Sequence, residues 1–281
     1  MFVEILKLII YSSLIVIISK KMLVVILRKL AENLNLKAKT IGNIAGIATS
    51  MPELLTVSVS SLKGLANTSI INILSSNIIN LIQYIISIIF SKNLKVIKNS
   101  AIKIDIILVL ITIIIPILII SFNITINILI VPIFLIIYPI FLYINNKFHK
   151  KYLEKENVEI NKEHENNIKE ERKKANIKKT IKYIILLILT GVLLFIIGEL
   201  LGNVLETLCY KFNFSQNIMG ILLGIITSIP EFITFFESQK HYSKKEAENI
   251  LGVVEATNNL LTSNMLNLFI IQSIGIIFLI I

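Results

Sequence analysis

Two glutamates, Glu53 and Glu231, each follow a proline in the middle of an apolar stretch of the chain. If these stretches cross a membrane, each charged side chain costs at least ~2.5 kcal/mol on insertion scales. Acidic residues at that depth commonly mark ion pathways, because a bound cation neutralises the charge. The pair therefore predicts a cation site.

The segment around each glutamate occurs twice. Residues 46–53 (GIATSMPE) match residues 224–231 (GIITSIPE) at six of eight positions. Downstream, residues 72–80 (NILSSNIIN) resemble residues 259–267 (NLLTSNMLN). Two composite motifs in the same order indicate an internal duplication.

Oxygen-bearing side chains accompany the glutamates in both copies. Asn72, Ser76 and Asn80 are spaced by four residues, so they lie on one face of a helix. The second copy repeats this spacing from Asn259 to Asn267. Carboxylate, hydroxyl and amide oxygens suit hard cations such as Ca²⁺ or Na⁺, whereas zinc or copper would favour His or Cys, which neither motif contains.

Prolines and glycines predict breaks in the helices that carry the glutamates. Pro52 and Pro230 each remove a helix hydrogen bond, and Gly46 and Gly224 precede them by about two turns. A break frees backbone carbonyls, which at membrane depth must be buried or line a site.

The elements that must position these residues are membrane helices. The 281 residues are 55% hydrophobic and 16% charged, with a mean hydropathy of +0.81, which exceeds what a soluble core requires. Hydropathy predicts eight spans, at 2–27, 40–62, 68–91, 102–121, 124–144, 182–203, 215–238 and 249–278. The single Cys209 excludes a disulfide within the chain.

Basic residues alternate between the connections. The loops after spans one, three, five and seven are basic, and 12 of the 28 Lys and Arg lie between Lys147 and Lys182 among seven glutamates. Such a mixed run is typical of a solvated loop facing anionic lipid rather than of nucleic-acid binding. The positive-inside rule places these loops in the cytoplasm and both termini outside, in a multi-pass protein of the cell membrane.

Five spans precede the long charged loop, so the second motif copy enters the membrane from the opposite side. This arrangement predicts an inverted-topology repeat, with a first repeat at 1–144, a charged loop at 145–181 and a second repeat at 182–281. The ligand site of such proteins lies where the repeats meet.

The paired motifs resemble those of the cation/Ca²⁺ exchanger superfamily, whose Na⁺/Ca²⁺ exchangers carry G-x-x-x-T-S-x-P-E and S-N-x-x-N/D. The resemblance implies Na⁺/Ca²⁺ exchange by alternating access, with the first and sixth spans sliding against a core. It assigns ion ligands at Thr49, Ser50, Glu53, Ser76, Asn80, Thr227, Ser228, Glu231, Ser263 and Asn267. Weaker candidates are the carbonyls of Gly46 and Gly224, and the side chains of Asn72, Asn259 and Glu255.

The chain departs from the superfamily pattern in three ways. Asn267 falls where many relatives have an aspartate, which leaves Glu53 and Glu231 as the carboxylates at matched positions. Glu255 lies one turn before Asn259, where the first repeat has the neutral Thr68. The second repeat lacks the two further helices that relatives usually have. We expect either that a homo-oligomer or a small membrane partner covers spans seven and eight, or that the chain is a reduced or truncated member of the superfamily.

Two other functions fit the same residues. A Ca²⁺/H⁺ antiporter would use the glutamates to carry protons and Ca²⁺ in turn. A degenerate exchanger could instead regulate or scaffold a partner without transport. Enzymatic activity and a cofactor are not expected, because no nucleophile with its base, phosphate loop or cofactor motif is present. Ca²⁺, with Na⁺ or H⁺, would be the substrates.

The predicted topology can be tested by labelling cysteines from the two sides of the membrane. In a background without Cys209, a cysteine at Asn161 should react from the cytoplasm and one near Met1 from outside. Labelling of both from the same side would contradict the inverted repeat.

Overall fold

A computed structural model describes residues 1–34, 38–98, 100–122, 128–156, 176–242 and 249–280. Within these ranges the regular secondary structure is helical, and no strand occurs. Isoleucine favours strands in soluble proteins, but a single segment in lipid can satisfy its own backbone groups only as a helix. The predicted all-helical membrane fold is confirmed.

Twelve α-helices follow one another in the described ranges. They are α1 Phe2–Ile18, α2 Val25–Asn33, α3 Ala38–Thr49, α4 Met51–Leu62, α5 Ala66–Phe90, α6 Ser100–Ser121, α7 Ile130–Glu156, α8 Ile177–Glu206, α9 Gln216–Thr227, α10 Ile229–Tyr242, α11 Asn249–Met265 and α12 Gln272–Phe278. π-helical turns at Ser19–Val24, Thr207–Lys211 and Leu266–Ile271 continue α1, α8 and α11.

Five helical segments are long and apolar enough to cross a membrane. They are Phe2–Leu27, Ala66–Phe90, Ile177–Lys211, Gln216–His241 and Ile250–Phe278, and Ile130–Asn145 is a shorter apolar helix. The predicted spans at 40–62 and 102–121 are also helical but do not belong to these five. The count of eight spans and the layout of two inverted repeats stay predictions.

The two helices that carry Pro52 and Pro230 are interrupted, as predicted. α3 ends at Thr49 and α4 begins at Met51, while α9 ends at Thr227 and α10 begins at Ile229. The break falls two residues before each proline, at Ser50 and at Ser228. Because a proline has no N–H, the carbonyl four residues earlier loses its helical donor and the helix axis can change direction.

Glycines let the broken helices approach the polar helices closely. α3 packs along α11, and α9 packs along α5. A Cβ atom added at Gly42 would lie 2.4 Å from the Glu255 carbonyl oxygen, and one at Gly220 would lie 2.9 Å from the Thr68 carbonyl oxygen. Gly42 and Gly220 occupy matching positions in the two copies. In both helix pairs a glycine at this position therefore allows the two backbones to come close together.

The surroundings of the last helices correct the expectation for spans seven and eight. α6 and α7 pack against α11, its π-helical turn and α12. The ring of Phe269 meets Phe134 edge to face and Phe141 at a tilt, with ring centroids 5.7 and 5.3 Å away. Of the apolar stretch in Ile250–Phe278, 78% is buried, against 39% for Ala66–Phe90. The premise that span eight exposes polar residues to lipid was wrong, since spans four and five of the first repeat cover it.

The same packing makes positions in span eight unsuitable for cross-linking to a neighbouring chain, which would otherwise test for such a partner. Leu260 is 0% exposed and Ile271 4% exposed, so cysteines there would be shielded within the protein. Glu255 and Asn267 are buried as well. A homo-oligomer or a small membrane partner stays a prediction, but burial of these two polar side chains does not require one.

Helices extend into both ends of the predicted charged loop at 145–181, whose bounds stay a prediction. α7 begins at Ile130 and continues to Glu156, past the predicted end of span five at 144, and α8 begins at Ile177, ahead of the predicted start at 182. Charged residues extend both helices beyond their apolar parts. Residues 157–175, including Asn161, lie outside the described residues.

α1 and α8 pack against each other at the edge of the helix assembly. One apolar cluster joins the two helices. It contains Leu8 and Ile15 of α1, Leu201 and Leu205 of α8, and Leu208 of the π-helical turn that follows α8. α8 also contacts α4, where Gly198 faces Leu55 and Gly202 faces Val59. The first and sixth spans are therefore neighbours, and one of them contacts the helix that carries Glu53.

Candidate functional site

The two glutamates lie in the first turn of helices that begin at the breaks. Glu53 is the third residue of α4 and Glu231 the third residue of α10, and both side chains are 0% exposed. A helix start carries a partial positive charge, which favours a carboxylate there. Each break thus creates a helix N-terminus at the position of a buried acid.

Hydroxyl groups surround the carboxylate of Glu231. Ser263 Oγ donates to Glu231 Oε1 at 3.1 Å, and Ser50 Oγ lies 2.8 Å from Ser263 Oγ. Thr49 also faces the Glu231 carboxylate. Ser263 belongs to the same repeat as Glu231, whereas Thr49 and Ser50 come from the first repeat, so both motif copies build this half of the site.

Glu53 has the equivalent neighbours. Ser76 of its own repeat and Thr227 of the second repeat face its carboxylate, and their hydroxyl oxygens are 3.5 Å apart. Within the described part of the chain neither Glu53 oxygen has a hydrogen-bond partner. The surroundings of Glu53 and Glu231 are therefore related by exchanging the two motif copies, as a pseudo-twofold axis between them would require.

Amide side chains add further oxygen atoms. Asn80 Nδ2 lies 3.4 Å from Ser263 Oγ and 3.2 Å from Asn264 Oδ1, so the donor side of this amide is occupied. Asn267 Nδ2 donates to Asn77 Oδ1 at 3.0 Å. The Oδ1 atoms of Asn80 and Asn267 are buried and accept no hydrogen bond from any described residue.

The unsatisfied atoms are almost all acceptors. Among the described residues around the break, the buried oxygens without a partner are both Glu53 oxygens, Glu231 Oε2, Asn80 Oδ1, Asn267 Oδ1 and Ser228 Oγ. Leaving a buried acceptor unpaired costs about 1–3 kcal/mol, and more for a charged one. A bound cation would interact with several of these oxygens together. This set of oxygen ligands therefore fits a hard metal ion.

The outer asparagines of the motifs hold the hydroxyl groups. Asn259 Oδ1 lies 3.3 Å from Thr49 Oγ1, and Asn72 Oδ1 lies 3.4 Å from Ser76 Oγ. Asn72 Nδ2 donates to Thr56 Oγ1 at 2.7 Å. Both asparagines contact hydroxyl residues that face the carboxylates. Their observed contacts therefore position those hydroxyl groups and do not involve the carboxylates themselves.

The carbonyl groups of the motif glycines are engaged within their own helices. The Gly46 oxygen lies 2.9 Å from Ser50 Oγ, and it accepts from Ser50 N at 3.2 Å. The Gly224 oxygen accepts from Ser228 N at 3.2 Å. Ion ligation by these two carbonyls stays a prediction.

Glu255 is buried away from the central group. Its side chain is 1% exposed, and Ser238 Oγ donates to its Oε1 at 2.6 Å. It lines a small cavity with Val24, Ile41, Ile44, Ala45 and Thr234. Two helical turns separate it from Ser263, so a role for Glu255 in the ion pathway stays a prediction.

Two asparagines at the centre were missed by the sequence analysis. Asn77 and Asn264 are 0% exposed and join α5 to α11 through hydrogen bonds in both directions. Each directly follows the serine of its motif, in the shared pair Ser-Asn. That repetition was the available signal, but their helix face differs from the one shared by Asn72, Ser76 and Asn80.

The composition of the site limits its chemistry. In the part of the chain that the structure describes, no three His, Cys, Asp or Glu side chains gather into a metal-binding group. The centre consists of two carboxylates with neutral hydroxyl and amide oxygens, and all ten predicted ligand side chains are 0–2% exposed. Such a set can hold a cation away from water, but an ion can enter or leave only if helices move.

Comparison with known proteins shows the family of this chain. No curated protein matches the chain. Among solved structures, the sodium–calcium exchanger NCX_Mj, from a study of extracellular ion exchange and binding-site occlusion in which it was soaked with 10 mM Na⁺ and no Ca²⁺, is similar at 17% identity and a TM-score of 0.48, covering 99% of this chain and 84% of that chain. The family model for the sodium/calcium exchanger protein matches residues 5–146 and 182–281, which is most of the chain. This protein therefore belongs to the sodium/calcium exchanger family.

Proposed function

We propose that this protein exchanges Ca²⁺ for Na⁺ across the cell membrane, with Glu53 and Glu231 as the charged ligands of one central site. The observation that carries the proposal is the buried group of acceptor oxygens without donors, contributed by both motif copies. Family membership supports cation exchange in general. The ions and the residues are inferred from the chemistry of the site.

The charge of the site favours a divalent ion. Two carboxylates neutralise one Ca²⁺, and the amide and hydroxyl oxygens extend the set toward the six to eight oxygens that Ca²⁺ takes. When Ca²⁺ leaves, the two carboxylates remain buried and need another source of positive charge. Two Na⁺ ions supply the same charge and also accept oxygen ligands, so Ca²⁺ and Na⁺ can replace each other.

Exchange requires that the site open to one side at a time. The ligand side chains are shielded from both sides in this structure. α1 and α8 lie at the edge and contact the broken helices, with α8 against α4 at Gly198 and Gly202. Movement of this helix pair along the core would uncover one end of the site, and the two glycines let α8 approach α4 closely.

Transport by reconstituted protein tests the proposal. Liposomes loaded with Na⁺ should accumulate ⁴⁵Ca²⁺ when diluted into Na⁺-free buffer, and uptake should stop when the Na⁺ gradient is removed. Uptake driven by a pH gradient without Na⁺ would identify the Ca²⁺/H⁺ antiporter instead. No Ca²⁺ movement under either gradient, from protein that is folded by size-exclusion chromatography, would favour a scaffold without transport.

A further inference from the structure

Asn77 and Asn264 are joined by hydrogen bonds that run in both directions between α5 and α11. Asn77 Nδ2 donates to the Asn264 backbone oxygen at 3.2 Å, and Asn264 Nδ2 donates to the Asn77 backbone oxygen at 3.1 Å. Both side chains are 0% exposed. We call this pair the amide clasp.

The backbone oxygens determine how the clasp amides are turned. A carbonyl oxygen can only accept, so the side-chain group facing it must be the NH₂ and not the oxygen. Asn77 Oδ1 is then directed to the other side, where it can only accept, and the same holds for Asn264 Oδ1. Each clasp residue therefore presents an acceptor to its next neighbour.

Those neighbours are two predicted ligands of the cation. Asn77 Oδ1 receives Asn267 Nδ2 at 3.0 Å, and Asn264 Oδ1 receives Asn80 Nδ2 at 3.2 Å. The NH₂ groups of Asn267 and Asn80 are thus held by the clasp. Their oxygens are the atoms left without a hydrogen-bond partner among the described residues.

We propose that the amide clasp is a positioning device that turns Asn267 and Asn80 so that their oxygens, and not their NH₂ groups, face the transported cation. An asparagine amide that is free to rotate can present its NH₂, which is the positive end of its dipole and repels a cation. The clasp excludes that orientation in two steps. The backbone carbonyls fix the NH₂ groups of the clasp amides, and the oxygens of those amides then accept the NH₂ groups of Asn267 and Asn80. This inference rests on the proposed function, because it assumes that the cation binds at these oxygens.

The two motif copies make the clasp reciprocal. Asn77 follows Ser76, and Asn264 follows Ser263, so each copy supplies a clasp residue that orients the ligand asparagine of the other copy. A change in one repeat should therefore be felt at the ligand of the opposite repeat. Asn267 is the sharper case, because Asn80 has a second contact to Ser263 Oγ at 3.4 Å.

The test uses a ligand that needs no orientation. A carboxylate is an acceptor on both oxygens, so Asn267→Asp presents an oxygen to the cation whichever way it turns. ⁴⁵Ca²⁺ binding to purified protein is measured for wild type and for three variants, Asn77→Ala, Asn267→Asp and the double variant. Ser61→Ala is the control, because it removes another buried hydrogen bond, to Ser69 Oγ at 3.0 Å, that does not reach a ligand amide.

Asn77→Ala is expected to raise the Ca²⁺ concentration for half-saturation about tenfold when residue 267 is asparagine, and less than about twofold in the Asn267→Asp background. Ser61→Ala should leave this concentration within about twofold of wild type. Equal losses from Asn77→Ala in both backgrounds would show that Asn77 only packs the helices together, and the clasp would be rejected.

The remaining outcomes are also decisive. If wild type shows no saturable Ca²⁺ binding, the proposed function fails and the clasp with it, whereas binding with equal losses in the two backgrounds rejects the clasp alone. If Asn77→Ala does not yield folded protein, the mirrored set decides in the same way: Asn264→Ala is compared in wild type and in the Asn80→Asp background.

Discussion

Glu53→Gln and Glu231→Gln should each reduce Ca²⁺ flux at least ~100-fold while the protein stays inserted and folded. Glutamine keeps the shape of the side chain but removes one of the two charges that would compensate a divalent ion. It also places an NH₂ group among oxygens that would otherwise face the cation, and this positive end of the amide dipole repels a cation. The single remaining carboxylate cannot balance Ca²⁺ in a site from which water is excluded.

The measurement is ⁴⁵Ca²⁺ uptake into liposomes under a Na⁺ gradient, normalised to reconstituted protein. Glu206→Gln is the matched control, because Glu206 is a partly exposed glutamate whose salt bridge to Lys63 spans 2.8 Å outside the site. That variant should keep nearly full flux, since exposed ion pairs contribute little. Full flux in both Glu53→Gln and Glu231→Gln would exclude the proposed site.

Gly42→Ala should strongly destabilise the protein, although it adds only one methyl group. The new Cβ would lie 2.4 Å from the Glu255 backbone oxygen and 3.1 Å from Asn258 Cβ. A backbone atom can move away only if α3 and α11 separate. Overpacking of this kind costs about 1–3 kcal/mol or more, and the separation would carry Ser263 and Asn267 away from Ser50.

Gly191→Ala is the matched control, because Gly191 is also inside a helix but a Cβ there meets nothing within 4 Å. We expect this variant to change stability by less than ~0.5 kcal/mol. The thermal midpoint of purified protein, followed by size-exclusion chromatography after heating, would compare the two. Equal midpoints for Gly42→Ala and wild type would contradict the close approach of α3 to α11.

Much of the site could be predicted because the relevant signals are local or repeated. Proline chemistry placed the breaks beside Glu53 and Glu231, and the structure has them at Ser50 and Ser228. Spacing by four residues placed Ser76 and Asn80 on one helix face, and the duplication identified their counterparts. The roles of these residues as ligands stay predictions. The structure places Ser76 and Ser263 beside the two carboxylates, and Asn80 lies 3.4 Å from Ser263 Oγ.

The partners across helices could not be predicted in the same way. Asn77 was overlooked because its contacts are to Asn264 and Asn267, on a helix almost two hundred residues away in sequence. Spacing within α5 says which residues share a face, but it does not say what stands opposite. The hydrogen bonds that turn the amides exist only once α5 and α11 are side by side.

By itself the sequence determined the membrane class, the helices and the broken segments, because hydropathy and the missing N–H of proline act within a few residues. Only the tertiary structure decided that α6 and α7 cover α11 and α12. Ile and Leu occupy all sides of α6, and lipid is as apolar as these side chains, so hydropathy cannot tell a packed face from a lipid-facing one. The packing depends instead on the shapes of the side chains. Phe134 and Phe141 fit around Phe269, and glycines in α3 and α9 let these helices come close to the backbones of α11 and α5.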